Sequence, residues 1–154
     1  MVVIPDASCL IVLRKLNRLD LLRDLYGHGA ITVTDIVADE YGMGLPDWAT
    51  VFNVPTSALL IDLRKRLDAG EASVITLAQI TPDSLIVIDE AKGRAVSQEM
   101  ELPLIGTLGV LVKAKEAGLL KSLKSVLIQL KTETDFRFSK AVEMAVLRKA
   151  GEGG

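Results

Sequence analysis

The chain has 154 residues, 49% of them hydrophobic, with 18 basic and 20 acidic side chains, a net charge of −2 and a mean hydropathy of +0.35. That size and composition suit one compact domain with a substantial core, and no apolar run approaches the roughly 20 residues that cross a bilayer, so no membrane partner is expected. The near-balanced charge argues against a protein that grips nucleic acid by bulk electrostatics alone.

Residues 2–4 form a short β-branched run, expected to end as a strand before Pro5, which has no N–H for a sheet ladder. After Asp6, Cys9, Leu10, Leu13 and Leu16 recur at helical spacing. A second helix is expected over residues 19–26, ended by Gly27 and Gly29, and a strand over 30–33. Thr34 or Asp35 caps a helix running to about Tyr41, where Gly42 and Gly44 stop it, and residues 48–54 read as a third, weaker strand. Pro55-Thr56-Ser57 opens a helix carrying Leu59, Leu60, Leu63 and Leu67, which Gly70 is expected to separate from a following helix with Glu71 in its first turn. Residues 84–88 are an unbroken apolar run, the pattern of a strand buried on both faces of a parallel sheet. A helix over about 91–100, a strand around 102–105, a helix opened by Gly106-Thr107 and covering 108–117, and helices near 120–130 and 139–150 follow. Residues 152–154 read as a flexible tail.

Strands alternating with helices predict an α/β fold, a three-layer α/β/α sandwich around a central parallel sheet, as one domain over residues 1–151. Sites in such sheets lie beyond the carboxyl ends of the strands. Asp6 and Asp89 directly follow two predicted strands, and Glu40 and Glu71 stand at helix ends. Four carboxylates so placed are an oxygen ligand set for a hard divalent cation, with no histidine–cysteine set to compete. Three of them also have a plainer reading: Asp6 as a helix cap, Glu40 as a solvated charge with Asp39 as its rival for the inward-facing phase, Glu71 as a partner of the helix dipole. Ser8 can orient Asp6 or a water, and Glu90 stands just behind Asp89. Arg94 can meet a phosphate or pair with Glu90, and Thr107 can cap its helix or donate to a phosphate. Cys9, His28 and Trp48 read as structural, and a single cysteine without a signal-peptide pattern ahead of it fits a cytoplasmic location.

Charge is unevenly distributed. Residues 1–100 carry nine basic and 14 acidic side chains, whereas residues 101–154 carry nine basic and six acidic ones. An acidic centre beside a basic flank suits an enzyme that holds a metal in one place and a phosphate backbone in another; solvated helix surface is the plainer alternative.

In order and spacing, several of these segments resemble the PIN-domain nucleases. They are Asp6-Ala7-Ser8, Glu40, Gly70-Glu71-Ala72 leading into Ile75-Thr76-Leu77-Ala78, and Ile88-Asp89-Glu90 with Lys92-Gly93-Arg94. Gly106-Thr107-Leu108-Gly109-Val110-Leu111, Ala114-Lys115 and Gly118-Leu119 are similar to a VapC-like branch described as predicted nucleic-acid-binding proteins. The likeness runs from Val2 to Glu152. It implies an acidic pocket at the strand ends holding Mg²⁺ or Mn²⁺, with Asp6, Glu40, Glu71 and Asp89 as ligands and catalytic residues. It further implies a metal-dependent endoribonuclease acting on RNA, the toxin half of a toxin–antitoxin pair with an antitoxin protein as partner, and a homodimer. The chain departs from many toxin PIN domains in having no threonine two residues before Asp89 and in carrying glutamate at position 71. These departures bear on efficiency and metal preference.

Two other readings remain. A non-catalytic RNA-binding or protein-interaction module on the same fold would gain by discarding four repelling carboxylates, so their presence favours the enzyme. A nucleotide-binding domain lacks its phosphate loop, because neither GxxxxGK[ST] nor GxGxxG occurs. Leu59, Leu60, Leu63 and Leu67 exceed what a single small core is expected to bury, a second reason to expect a homodimer.

Overall fold

The computed structural model describes residues 1–153; Gly154, the last residue of the expected tail, lies outside them. The order is β1 (Val2–Pro5), α1 (Ala7–Lys15), α2 (Leu21–Tyr26), β2 (Ile31–Thr34), α3 (Asp35–Tyr41), β3 (Ala49–Phe52) and α4 (Ala58–Leu63), then α5 (Ala69–Gln79), β4 (Ser84–Val87), α6 (Ala91–Glu99), β5 (Leu104–Ile105), α7 (Thr107–Glu116), α8 (Leu123–Glu133) and α9 (Lys140–Lys149). All strands pair in parallel in the order β3-β2-β1-β4-β5. The sheet flanked by helices is the expected three-layer α/β/α architecture.

Polar caps set where the helices begin. Asp6, Thr34, Ser57, Asp68, Ser122 and Ser139 each accept a backbone N–H three residues ahead through the side chain, which answers one orphan donor at each helix start. The core gathers on the middle strands: Val3, Ile4, Ile86 and Val87 are sealed from solvent. β3 lies at one edge, and there Val51 and Phe52 are exposed. From Gly70 to Ala78 α5 is buried on every side, with Glu71, Ser73 and Thr76 as its polar members. It packs against β1, β2 and β4 and contacts α3, α4 and α6.

Four expectations change. Pro5 belongs to β1, opposite Val87 of β4. Successive N–H groups point to alternate neighbours: Val2 and Asp6 donate toward β4 (to Asp83 and Val87 carbonyls) and Val3 toward β2 (to the Ala30 carbonyl), so the donor missing at Pro5 faces β2 and leaves the β4 ladder intact. Gly70 does not divide two helices; it sits in the first turn of α5, and the break falls over residues 64–68, before the Asp68 cap. Leu60, Leu63 and Leu67 are buried and Leu59 packs against the core, so these leucines leave no surplus apolar face to support a dimer. Glu152 is not loose. Its carboxylate accepts the Leu123 N–H at 2.6 Å and the Lys124 N–H at 3.1 Å, and pairs with Lys115 at 3.0 Å. No helix among the described residues is long and apolar enough to cross a membrane.

Glu152 thus acts as a distant cap on α8, and those N–H groups hold its carboxyl below the usual range. Glu152→Gln should cost about 1 kcal/mol and lower the thermal midpoint by roughly 2–4 °C at pH 7. Because the folded pKa is depressed, the difference between the two proteins should shrink as pH falls below 4.5. Melts of both proteins at pH 7 and pH 3.5 check this, and equal midpoints at pH 7 would remove Glu152 from the cap.

Candidate active site

The strand order reverses direction at β1. From there the chain moves outward to β2 and β3, then returns to place β4 on the other side of β1. The crevice at such a switch point lies beyond the carboxyl ends of the two strands that flank it. Pro5 pairs with Val87, so Asp6 stands one residue and Asp89 two residues past the paired strand ends, and both line that crevice. A cavity of about 580 Å³ opens there, lined by Asp6, Glu40, Asp68, Glu71, Asp89 and Glu90 among others.

Each carboxylate is held by a different device. Asp6 Oδ1 accepts the Cys9 N–H at 2.9 Å, capping α1. Asp89 Oδ1 accepts the Thr107 N–H at 2.8 Å and its Oδ2 accepts the Thr107 hydroxyl at 2.6 Å, so the start of α7 grips this side chain at both oxygens. Glu40 rests over Gly70, where a Cβ would stand 2.5 Å from Glu40 Oε1. Glu71 lies under Gly93, where a Cβ would meet Ile88 Cδ1 at 2.5 Å and Glu71 Oε2 at 2.8 Å. The two helices that carry the glutamates are joined by a buried hydrogen bond between Thr34 Oγ1 and Ser73 Oγ at 2.7 Å, and Ser73 also donates to the Gly70 carbonyl at 2.7 Å.

Burial, with neighbouring acids adding to it, raises the proton affinity of Asp6, Glu40 and Glu71. Burial, reinforced by the Asp89 charge and opposed by the Cys9 N–H, lifts Asp6 to about 7. Burial also lifts Glu71 to about 8, with a hydrogen bond to Asp68 and the charges of Asp68, Glu90 and Asp6 adding to it. Glu40 shifts upward for the same reasons, burial first and Asp68 next, while the Gly70 N–H pulls the other way.

The donor set is all oxygen, and Glu71 Oε2 is buried with no hydrogen-bond partner among the described residues. A buried, unpartnered carboxylate oxygen beside other carboxylates is the environment that a hard cation relieves, so the residues present fit a hard divalent cation. Among the described residues no three acidic side chains already stand close enough together to form a closed cage.

The other residues singled out from the sequence fall in two groups. Ser8 and Glu90 line the cavity, and helix phase brings Glu40 rather than Asp39 to it. Arg94 and Thr107 are absent from the lining. Arg94 Nη1 donates to the Ile88 carbonyl at 2.9 Å, and Thr107 is fully buried with its hydroxyl on Asp89. The sequence reading missed Asp68, whose carboxylate caps α5 through the Glu71 N–H at 2.8 Å and faces the same cavity. The Asp-x-x-Glu spacing just before an apolar run was its signal. Lys15 and the Thr134-Asp135-Phe136 segment also line the cavity, and no local pattern marked them.

A family model described as a PIN domain matches residues 2–152. No curated protein and no solved structure matches the chain.

With raised folded values, the linkage sign is negative: between pH 4 and 8 the native protein binds more protons at Asp6 and Glu71 than the unfolded chain does, so stability falls as pH rises. Melts in chelator should show a midpoint that drops from pH 5 to pH 8, and added Mg²⁺ should raise the midpoint more at pH 8 than at pH 5. A midpoint that climbed over this range without metal would contradict the crowded-acid description.

Proposed function

The chain belongs to the PIN-domain family, and from that premise together with the acidic floor at β1 and β4 we infer that it is a metal-dependent endoribonuclease. The family points to nuclease activity in general. The finer reading rests on one observation, that Asp6 and Asp89 stand just past the paired ends of β1 and β4 and line one cavity with Glu71, whose Oε2 is unpartnered among the described residues. A module that only bound RNA would gain nothing from keeping this repulsion.

Asp6 and Asp89 are the direct ligands in this reading, and Glu40 and Glu71 ligate directly or through water. Bound Mg²⁺ or Mn²⁺ supplies positive charge against the phosphate oxygens and lowers the pKa of water. The chain supplies the rest. Asp6 has one oxygen fixed by the Cys9 N–H, and Thr107 locks the plane of the Asp89 carboxylate, so both acids are oriented before substrate arrives. Thr107 is accordingly a positioning residue. Ser8, exposed at the start of α1, is placed to donate to a water or a phosphate oxygen. A cytoplasmic toxin paired with an antitoxin, acting as a homodimer, remains the biological setting that the resemblance suggests. The surface for a second copy would have to be sought outside the α4 leucines.

Cleavage of single-stranded or looped RNA should require Mg²⁺ or Mn²⁺ and stop with chelator. Equal rates with and without chelator would refute the metal role, and no cleavage of varied RNAs would favour the binding module.

Asp6→Asn and Asp89→Asn should each lower cleavage by about 100-fold or more. The metal-free Asp6→Asn protein should melt no lower than wild type at pH 8, because removing one buried charge relieves the crowding. Asp20→Asn alters an exposed acid whose side chain makes no cap bond, and cleavage should stay near wild type. Full activity in both site variants would put the pocket elsewhere.

A further inference from the structure

The acids occupy only part of the cavity. The remaining lining includes Ile11, Val12 and Lys15 of α1 and the Thr134-Asp135-Phe136 segment between α8 and α9. Ser8, Ile11 or Val12, and Lys15 lie three to four residues apart, so one face of α1 runs along the cavity from the acidic floor to a cation roughly 10 Å further on.

A hydrated cation and a phosphate need no apolar wall. This cavity has one, and its most prominent member is Phe136, half-buried and packed against the core. The loop that carries it is braced. The Phe136 N–H donates to Thr134 Oγ1 at 3.1 Å, the Thr134 hydroxyl donates to the Leu130 carbonyl at 2.7 Å, and Arg137 Nη1 donates to the Thr134 and Phe136 carbonyls at 3.2 Å each. An aromatic ring on a fixed loop beside aliphatic side chains is a platform on which a nucleobase stacks, whatever its sequence. Asp135, next to the ring, repels phosphate and accepts hydrogen bonds, which favours a base over a phosphate at this wall. The volume, about 580 Å³, is in the range of sites for a nucleotide-sized ligand.

We propose that Phe136 and Ile11 form a nucleobase subsite beside the acidic floor, taking a base of single-stranded RNA next to the scissile phosphate, with Lys15 on a neighbouring phosphate. The subsite rests on the nuclease reading above and gives it a substrate preference: a base held inside a duplex cannot reach the ring, so paired RNA is a poor substrate.

The test uses the full chain, Mg²⁺ and a short single-stranded oligoribonucleotide carrying 2-aminopurine, whose fluorescence falls when it stacks. Wild type should quench the probe and cleave it. Phe136→Ala should raise KM about ten-fold and lose the quench, whereas Phe136→Tyr should keep both. Phe136→Leu retains apolar volume; it should melt like wild type yet lose the quench, which separates stacking from packing if the alanine variant folds poorly. Lys15→Gln should raise KM and reduce the salt dependence of binding by about one phosphate contact. Wild type that neither binds nor cleaves any RNA would sink the nuclease reading and the subsite with it. Wild type that cleaves while Phe136→Leu matches it in KM and quench would sink the subsite alone.

Discussion

The parallel pairing of β1 with β4 is the contact on which the rest of the site depends. With Pro5 opposite Val87 and the Asp6 N–H on the Val87 carbonyl at 2.9 Å, the chain leaving each strand must enter the same crevice. Two helices then start from the acids found there. Asp6 caps α1, and Asp89 holds the first residue of α7 through backbone and hydroxyl together. Each aspartate is therefore a structural cap and a candidate ligand at once, so the helix caps decide which lone pairs remain free. The direction of α1 from its cap also decides which of its residues reach the cavity.

Charge in the rest of the molecule does little to neutralise this floor. Part of the basic excess of residues 101–154 goes into local pairs: Lys115 with Glu152 at 3.0 Å, and Lys131 and Lys140 with Glu143 at 3.0 and 3.3 Å. Lys131 also sits over the Phe138 ring at 5.2 Å. The lysine ends of the two Glu143 pairs are exposed, which keeps those pairs small in energy, and together these contacts leave less of a cationic flank for a phosphate backbone than the charge distribution suggested. Lys15 is the one lysine among the residues that line the cavity. Compensation for Asp6 and Glu71 must then come from a proton or from a cation, which ties occupancy of the site to pH.

The sequence was most legible where structure is decided locally. Caps at Asp6 and Thr34, the opening of α4 after Pro55-Thr56-Ser57, the apolar β4, and the acids that follow β1 and β4 all follow from patterns a few residues long. It was least legible where strand order decides. The donor missing at Pro5 does no harm because of the side it faces, and that depends on which strand lies there. Gly70 looks like a helix breaker by propensity, but in the first turn its N–H lacks an intrahelical partner anyway and its bare face accommodates Glu40. The leucines of α4 looked surplus only because a core this well covered by helices was not counted on. Phe136 lies some 130 residues after Asp6, and nothing in its neighbourhood signals that the two share a cavity.

Neutral contacts hold what the charges cannot. Ionised carboxylates left to themselves would spread apart. The spacing between Glu40 and Glu71 is instead set by buried uncharged groups: the Thr34–Ser73 hydrogen bond joining α3 to α5, the Ser73 bond to the Gly70 carbonyl, and two glycines that let neighbouring helices approach the glutamates closely. Such bonds are indifferent to pH and salt over the range in which the acids titrate. The framework can therefore keep its geometry whether the pocket carries protons or a cation, and only the stability of the whole reports which one is there.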